Sequence, residues 1–215
     1  MKKAFTLIEL VLVIVIIGIL STQISPNFNR DGLQEAANQI VSHIRYTQHL
    51  AMMDNKFDPK DPAWYQDRWQ IDFRDPSTDN VYYTIYQDLN RNGSASTVVS
   101  NNEIAKNPLN PKQLLTALSS NMAVNSKEMM LHEKYGITSV TFSSSCRYYG
   151  SKRISFDYLG RPLYGKPNTL ITMYAGNKKV RLIKTQCTIT LNDVDNRSIV
   201  IAIEPETGYT HILPN

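Results

Sequence analysis

The first strong feature of the chain is a nearly unbroken apolar run close to its beginning. From Phe5 to Ile24, 20 residues contain one charged side chain, Glu9. At about 1.5 Å per residue, a helix of this length reaches roughly 30 Å, the thickness of the hydrocarbon core of a bilayer. Two lysines precede the run, and basic residues favour the cytoplasmic side of a membrane. The pattern predicts a transmembrane helix over residues 5–25 with its N-terminus in the cytoplasm.

A second helical pattern follows a short break. Pro26 removes a helix hydrogen bond, and residues 27–32 are rich in turn formers. Asp31 followed by Gln34 resembles a capping box. Apolar or small residues then recur at alternating steps of four and three, at Leu33, Ala37, Ile40, Ile44, Thr47 and Ala51. The polar residues of the opposite face are Glu35, Gln39, His43, Arg45 and His49. This one-sided stripe predicts that residues 26–53 form an amphipathic helix that packs on a sheet, and that the two segments make one long, broken helix.

The period changes to two after a proline-containing loop over residues 54–67. Trp69, Ile71 and Phe73 alternate with polar residues, as do Val81, Tyr83 and Ile85. This alternation predicts strands. Later predicted strands are Ile137–Phe142, Arg153–Asp157, Leu170–Tyr174, Val180–Leu191, Ser198–Ile203 and Tyr209–Leu213. Predicted turns are Asn192–Arg197 and Gly176–Asn177.

A segment between these strands interrupts the pattern over residues 101–136. It predicts one helix that starts at Asn110 and Pro111 and runs to Ser119, and a second from Lys127 to Lys134 that ends before Gly136. Helices followed by an antiparallel sheet indicate an α+β fold. We therefore expect a leader peptide at 1–4, helical segments at 5–25 and 26–53, and a β-rich globular domain at 54–215 with a helical insertion at 101–136.

The composition supports a folded domain and offers no sign of catalysis. Of the 215 residues, 42% are hydrophobic and 20% charged, so the chain can bury a core. It contains no Walker loop, no GxSxG and no HExxH motif. Ser143, Ser144 and Ser145 fit a strand end better than a nucleophile. The four histidines show no metal-ligand spacing: His43, His49, His132 and His211. We expect a protein that is not an enzyme and has no resident cofactor.

Three interpretations of the N-terminal segment compete. The first is an ordinary signal peptide, which needs a small-residue cleavage site after the apolar run. The site in this chain is poor, and the apolar run contains the carboxylate of Glu9. A plain signal anchor leaves Glu9 unexplained, because a carboxylate in hydrocarbon costs a few kcal/mol. The third interpretation rests on the sequence Lys-Ala-Phe-Thr-Leu-Ile-Glu-Leu over residues 3–10, which resembles the class III leader of type IV pilins and pseudopilins.

The resemblance implies specific roles for these residues. A prepilin peptidase would cut on the cytoplasmic side between Ala4 and Phe5 and methylate the new amine of Phe5. Glu9 then occupies the fifth mature position, where the family carries its glutamate, and pairs with the Phe5 amine of an adjacent subunit. Gly18 and Pro26 fall where many pilins have a helix-breaking glycine and proline. The residue before the cut is usually glycine, and Ala4 departs from that pattern.

Later residues narrow the resemblance to H-type pseudopilins of type II secretion and FimT-type minor pilins. These residues are the second helix, the Ile-Ser-Phe-Asp-Tyr-Leu-Gly-Arg-Pro run at 154–162, and the strand at 199–203 with Thr207 and Gly208. The family implies a single-pass inner-membrane precursor with a periplasmic globular domain. Its implied partners are other pilins in a helical filament, the prepilin peptidase and the inner-membrane assembly platform.

Two cysteines, Cys146 and Cys187, are the whole cysteine content. An even pair without a CxxC motif or clustered histidines favours one disulfide over a zinc site, and a domain outside the cytosol would be oxidised. Two unrelated buried thiols are the alternative.

Two further patterns suggest ligands. Asp88, Asn90 and Asn92, followed by a glycine, match the first half of a calcium loop, although Val99 stands where the closing glutamate belongs. The alternative is a polar loop between strands.

The second pattern is a basic stretch over residues 147–184. It carries nine basic side chains and one acid, in a chain whose net charge is +4, and tyrosines are interspersed. Lys178, Lys179, Arg181 and Lys184 are candidate contacts to DNA phosphates. A solvated outer sheet face is the alternative explanation.

Overall fold

A computed structural model describes residues 6–23, 31–93, 102–118, 122–171 and 181–214. The chain divides into two compact units, Met1–Arg30 and Asp31–Asn215. The described part of the first unit contains one helix, and that of the second contains helices and antiparallel sheets. The predicted α+β class is confirmed.

Helix α1 (Leu7–Gln23) is the described element of the first unit. Gly18 lies inside it, and the helix continues for five residues beyond that glycine. The prediction that Gly18 breaks the helix is therefore wrong. Glycine costs about 1 kcal/mol relative to alanine, but it keeps both backbone hydrogen-bonding groups, so a helix can pass through it. Pro26 lies outside the described residues.

Helix α2 (Gly32–Met53) opens the second unit and matches the predicted amphipathic stripe. All six residues of that stripe are buried: Leu33, Ala37, Ile40, Ile44, Thr47 and Ala51. The predicted capping box is wrong, because the Asp31 side chain makes no capping hydrogen bond and instead pairs with Arg197 at 3.5 Å. The assignment of His43 to the solvent face is also wrong, since His43 is buried.

Within the described ranges, eight strands form two four-stranded antiparallel sheets. The strands are β1 (Trp69–Ser77), β2 (Asn80–Gln87), β3 (Ile137–Phe142), β4 (Arg153–Phe156), β5 (Pro162–Tyr164), β6 (Cys187–Asp193), β7 (Ser198–Ile203) and β8 (Thr210–Ile212). One sheet has the order β2-β1-β4-β5 and the other β3-β6-β7-β8. Helix α2 contacts strands of both sheets, so its apolar stripe closes a core that the two sheets share.

Cross-strand pairs explain the register of the first sheet. Ile71 faces Ile85 on β2 and Ile154 on β4, and Phe73 stacks on Tyr83 with ring centroids 5.2 Å apart. These side chains belong to the core. A shift of one residue would turn them away from the core, so the alternation that predicted the strands also fixes their pairing.

The hairpin between β6 and β7 has the turn that the sequence predicted. Asp193 Oδ1 accepts hydrogen bonds from the backbone N–H groups of Asp195 and Arg197, at 3.0 and 2.8 Å. Asn196 adopts a left-handed φ of 59°, which asparagine tolerates better than most residues. The Asp193 side chain and the left-handed Asn196 therefore stabilise the turn through residues of the turn itself.

The insertion differs most from its prediction. Residues 110–118 do not form a helix, so that prediction is wrong. The Leu115 N–H donates to the Ala105 carbonyl at 2.8 Å, while its carbonyl accepts from Ile85 N on β2 at 3.0 Å. These bonds lay the segment along the edge of β2, and long-range pairing replaces the local helical bonds. Near the second predicted helix, a 3-10 turn (Lys127–Met129) precedes helix α3 (Leu131–Tyr135).

The strand predicted at Val180–Leu191 begins too early, and of the strand predicted at Leu170–Tyr174 only the first two residues are described. Leu170 follows a 3-10 turn (Pro167–Thr169), and neither Leu170 nor Ile171 lies in a strand. Residues 172–180, including the predicted Gly176–Asn177 turn, lie outside the described residues. Strand β6 starts only at Cys187. Residues 181–183 instead pair with β5, through the Tyr164 N–H bond to the Arg181 carbonyl at 3.1 Å.

Candidate functional site

The N-terminal helix starts with a reciprocal capping arrangement of Thr6 and Glu9. The Thr6 backbone N–H and its hydroxyl donate to Glu9 Oε2, at 3.1 and 2.9 Å. The Glu9 N–H lies 3.3 Å from Thr6 Oγ1 and donates to it. This is the capping box in its T-x-x-E form, which satisfies two N–H groups that a helix start leaves without intrahelical partners. Glu9 therefore supports the helix start within its own chain, and Thr6 is a functional partner that the sequence analysis missed although the T-x-x-E signal was present.

From Leu7 to Ile19, the surface of α1 is apolar and exposed on all sides. Its exposed large side chains are Leu7, Ile8, Leu10, Val11, Leu12, Val13, Ile14, Val15, Ile16, Ile17 and Ile19. A helix that is apolar all round is normally buried in a large core, a membrane or a bundle of other helices. Among the described residues, no helix combines the length and the apolar character needed to cross a membrane.

The family model for a prokaryotic N-terminal methylation motif matches residues 1–22. The chain carries that motif. The methylation motif covers Ala4 and Phe5, which lie outside the described residues, and also Glu9 and Gly18 in α1. It supports a type IV pilin-like leader on a membrane-anchored precursor, processing by a prepilin peptidase, and a structural role in assembly with other pilins. The α+β architecture of an N-terminal helix and a C-terminal antiparallel sheet domain is consistent with the pilin fold. No curated protein and no solved structure matches the chain.

The two cysteines are joined in the globular domain. Cys146 and Cys187 form a disulfide with Cα atoms 5.4 Å apart, and both residues are fully buried. Cys187 opens β6, and Cys146 ends the 3-10 turn (Ser144–Cys146) that follows β3. The bond therefore ties together the ends of two paired strands.

In the predicted calcium loop, side-chain oxygens accept hydrogen bonds from backbone N–H groups of the same loop. Asp88 Oδ2 accepts the Gly93 N–H at 2.8 Å, and Asn90 Oδ1 accepts the Asn92 N–H at 3.0 Å. Glu103 comes from the insertion, and its Oε1 accepts the Asn90 N–H at 3.2 Å, so the fold brings to this loop a carboxylate that the sequence pattern lacked. Burial raises the pKa of Asp88. Among the described residues, no three His, Cys, Asp or Glu side chains are grouped to hold a metal ion. Calcium binding stays a prediction.

The basic stretch is used largely within the fold. Lys152 pairs with Asp75, Arg161 with Asp157 at 2.8 Å, and buried Arg153 with Asp72 at 2.7 Å. Such pairs neutralise the charge that DNA phosphates would need.

Of the four candidate DNA contacts, the structure describes Arg181 and Lys184. Arg181 is buried, donates to the carbonyls of Lys166 and Thr169, and stacks 3.7 Å from the ring centroid of Tyr148. Arg181 is thus a structural residue, and naming it a phosphate contact is wrong. Lys184 is exposed. Lys178 and Lys179 lie outside the described residues.

Proposed function

We propose that this chain is a minor pilin or pseudopilin, a structural subunit of a type IV pilus or a type II secretion pseudopilus. It is made as an inner-membrane precursor with its globular domain in the periplasm. A prepilin peptidase cuts it between Ala4 and Phe5 and methylates the Phe5 amine. The match of residues 1–22 to the methylation motif carries this proposal. The resemblances in the second helix and the late strands favour an H-type pseudopilin or a FimT-type minor pilin.

The exposed apolar surface of α1 supports assembly. Burying one large aliphatic side chain gives about 1.5–3 kcal/mol, so a helix with eleven of them exposed gains a large free energy wherever it is covered. Lipid covers α1 before assembly, and the corresponding helices of neighbouring subunits cover it in the filament. The same surface therefore serves first as membrane anchor and then as filament core.

Glu9 supplies the specificity that an apolar surface lacks. Apolar packing is non-directional and tolerates sliding of one helix along another, whereas a charge pair in a low-dielectric bundle has one register. The positively charged partner is the methylated amine of Phe5 on the adjacent subunit. Thr6 accepts the Glu9 N–H and donates to Glu9 Oε2, so the carboxylate is held at the start of the helix before a neighbour arrives.

The disulfide of the globular domain fits the proposed periplasmic location. This disulfide closes a loop with a sequence separation of 41, and disulfides persist in oxidising compartments. Helix α2 is covered by both sheets, so this domain folds around its own core and presents its outer surface to partners.

Processing of the N-terminus tests the proposal. The full chain is expressed with and without a prepilin peptidase, extracted in detergent and examined by N-terminal sequencing and intact mass. We expect the peptidase to yield a chain that starts at Phe5 and is one methyl group heavier. Ala4→Gly is the matched variant, and it should raise the cleaved fraction because glycine is the usual residue at that position. A chain that keeps Met1 under both conditions, or one that starts beyond Leu20 as after a signal peptidase, contradicts the proposal.

A further inference from the structure

A tight turn at Tyr148–Ser151 presents one aromatic ring to solvent. The Ser151 N–H donates to the Tyr148 carbonyl at 2.9 Å, and the two central residues have positive φ angles, 45° for Tyr149 and 76° for Gly150. This combination defines a type I′ turn, in which Asn, Asp and Gly are favoured. A tyrosine in the left-handed region costs of the order of 1 kcal/mol or more. Tyr149 is 92% exposed, so burial of its side chain does not offset that cost.

The ring of Tyr149 packs against one aromatic neighbour, Tyr148. Tyr149 meets Tyr148 edge to face with ring centroids 4.4 Å apart, and Tyr148 in turn lies against the guanidinium of buried Arg181 and the ring of Tyr164. Arg181 is itself held by the carbonyls of Lys166 and Thr169. A tyrosine side chain has two torsions that a partner must order, so it loses little conformational entropy when it is covered, which is typical of residues that anchor protein interfaces.

Beside Tyr149 lies a cleft of about 400 Å³ with an excess of positive charge. Its charged lining consists of Arg74, Lys152, Arg153, Lys166, Asp72 and Asp75, which sums to +2. Asp72 accepts from Arg153 at 2.7 Å and from Arg74 at 2.9 Å, and Asp75 pairs with Lys152. Both carboxylates are therefore neutralised within the cleft, while no ion pair to the exposed Lys166 occurs among the described residues.

The cleft also retains unused hydrogen-bond donors. Arg74 uses Nε and one terminal nitrogen on Asp72, and a guanidinium has five N–H donors in all. A carboxylate that enters the cleft can therefore be received by charge-assisted hydrogen bonds, which are stronger than neutral ones.

We propose that this cleft binds an acidic segment of a partner protein. A carboxylate of that segment bonds to Lys166 and Arg74, and its chain packs against the ring of Tyr149. A continuous phosphate backbone fits less well, because Asp72 and Asp75 stand in the lining and the charge excess is only two. The inference does not depend on filament assembly, so it can fail while the proposed function holds.

Fluorescence anisotropy with the full chain in detergent tests the proposal at low salt. The probes are a fluorescein-labelled peptide of twelve residues rich in Glu and Asp, its Gln and Asn counterpart, and a labelled dT12 oligonucleotide. We expect the acidic peptide to bind at least tenfold more tightly than either of the others. Absence of acidic-peptide binding overturns the proposal, as does equal binding of the neutral peptide.

Two variants locate the binding without disturbing the fold. Tyr149→Asn should weaken acidic-peptide binding at least tenfold while leaving the melting temperature unchanged or higher, because Asn suits the turn better. Lys166→Glu, at an exposed position, should weaken it at least tenfold by charge reversal. Lys112→Glu makes the same charge change at an exposed position in the insertion and should alter binding less than twofold.

Binding that both cleft variants leave intact places the peptide elsewhere and overturns the proposal. Tighter binding of dT12 that both variants abolish assigns the cleft to nucleic acid, and it overturns the proposal as well.

Discussion

Helices α1 and α2 are rich in the same aliphatic residues and use them in opposite ways. Helix α1 exposes its large apolar side chains on every side, whereas α2 buries a single stripe against two sheets. The apolar residues of α2 therefore stabilise the fold of their own chain. Those of α1 contribute little to that fold and are available to a membrane or to neighbouring subunits. A substitution in α1 should alter assembly at constant stability, and a substitution in α2 should alter stability first.

The largest expected effect is on assembly, from Glu9→Ala in α1. Without the carboxylate a subunit loses its register-setting partner, so we expect complete loss from the sheared filament fraction with an unchanged melting temperature. Glu9→Gln separates two roles, because glutamine can still serve the capping box with Thr6 but carries no charge. Immunoblots of membrane and filament fractions measure both variants. Normal assembly of Glu9→Gln would mean that capping, not charge pairing, is the role of this residue.

The next effect is on stability, from Ile40→Ala in α2. Ile40 is fully buried between the helix and the sheets, and removal of a buried isoleucine side chain costs about 2–5 kcal/mol. Leu12→Ala is the matched change in α1, where the side chain is exposed, and we expect it to leave unfolding unchanged. Urea unfolding of both variants measures the difference. Equal destabilisation by the two substitutions would remove the contrast between the helices.

The buried face of α2 also predicts a pH dependence. His43 Nδ1 lies 2.7 Å from the Tyr83 hydroxyl, and burial, assisted by the charge of Lys134, lowers the His43 pKa from 6.5 to about 4. The unfolded chain therefore takes up this proton at a higher pH than the folded chain. The contribution to stability is present above pH 6.5 and is lost as the pH falls towards 4, by about 3 kcal/mol.

Unfolding measured across that pH range checks the His43 prediction. His43→Asn keeps a polar group near Tyr83 and should flatten the slope of stability against pH. His49→Asn changes an exposed histidine on the same helix and should retain the slope. Identical slopes in the wild type and His43→Asn would show that His43 is not the titrating group.

The smallest expected effect is on thermal stability, from alanine substitution of a glycine in the globular domain, with a glycine of α1 as the control. Gly136 ends α3 with a φ of 73°, and its N–H bonds to the His132 carbonyl at 2.8 Å. Alanine there should cost about 1 kcal/mol because L-residues resist that conformation. Gly18→Ala, in the middle of α1, should leave the unfolding of the globular domain unchanged. Thermal melting measures both, and a stabilising Gly136→Ala would contradict the assigned role of this glycine.

The features that the sequence predicted well are those with local causes. Strands β3 and β7 have the predicted bounds, because alternation of side chains sets them residue by residue. The stripe of α2 was also predicted correctly, because the helical spacing of three and four residues is a local pattern as well. The helix at Asn110–Ser119 was wrong because backbone bonds from Leu115 to Ala105 and Ile85 outweigh local propensity. Strand β5 was missed because three residues that start with a proline give too short a pattern.

The candidate sites follow the same rule. The leader, Glu9 and the single cysteine pair are readable from the sequence, because motif and count define them. The approach of Glu103 to the Asp88 loop and the burial of Arg181 depend on residues far apart in the chain. In the structure, several side chains of the basic stretch form ion pairs within the domain. No sequence motif indicated the cleft beside Tyr149, which was found from the exposure and the left-handed backbone of that tyrosine.

Cross-linking at a single cysteine in α1 tests the central claim most directly. Both native cysteines are in the disulfide, so Ile16→Cys introduces one reactive thiol into a chain whose other two cysteines are already oxidised. Ser42→Cys places the same thiol on the exposed side of α2 as a control. Oxidation of intact cells that also carry the equivalent cysteine in the neighbouring pilin should yield covalent dimers through position 16 and none through position 42. Dimers through position 42 alone, or none at all from assembled filaments, would contradict the assignment of α1 as the surface between subunits.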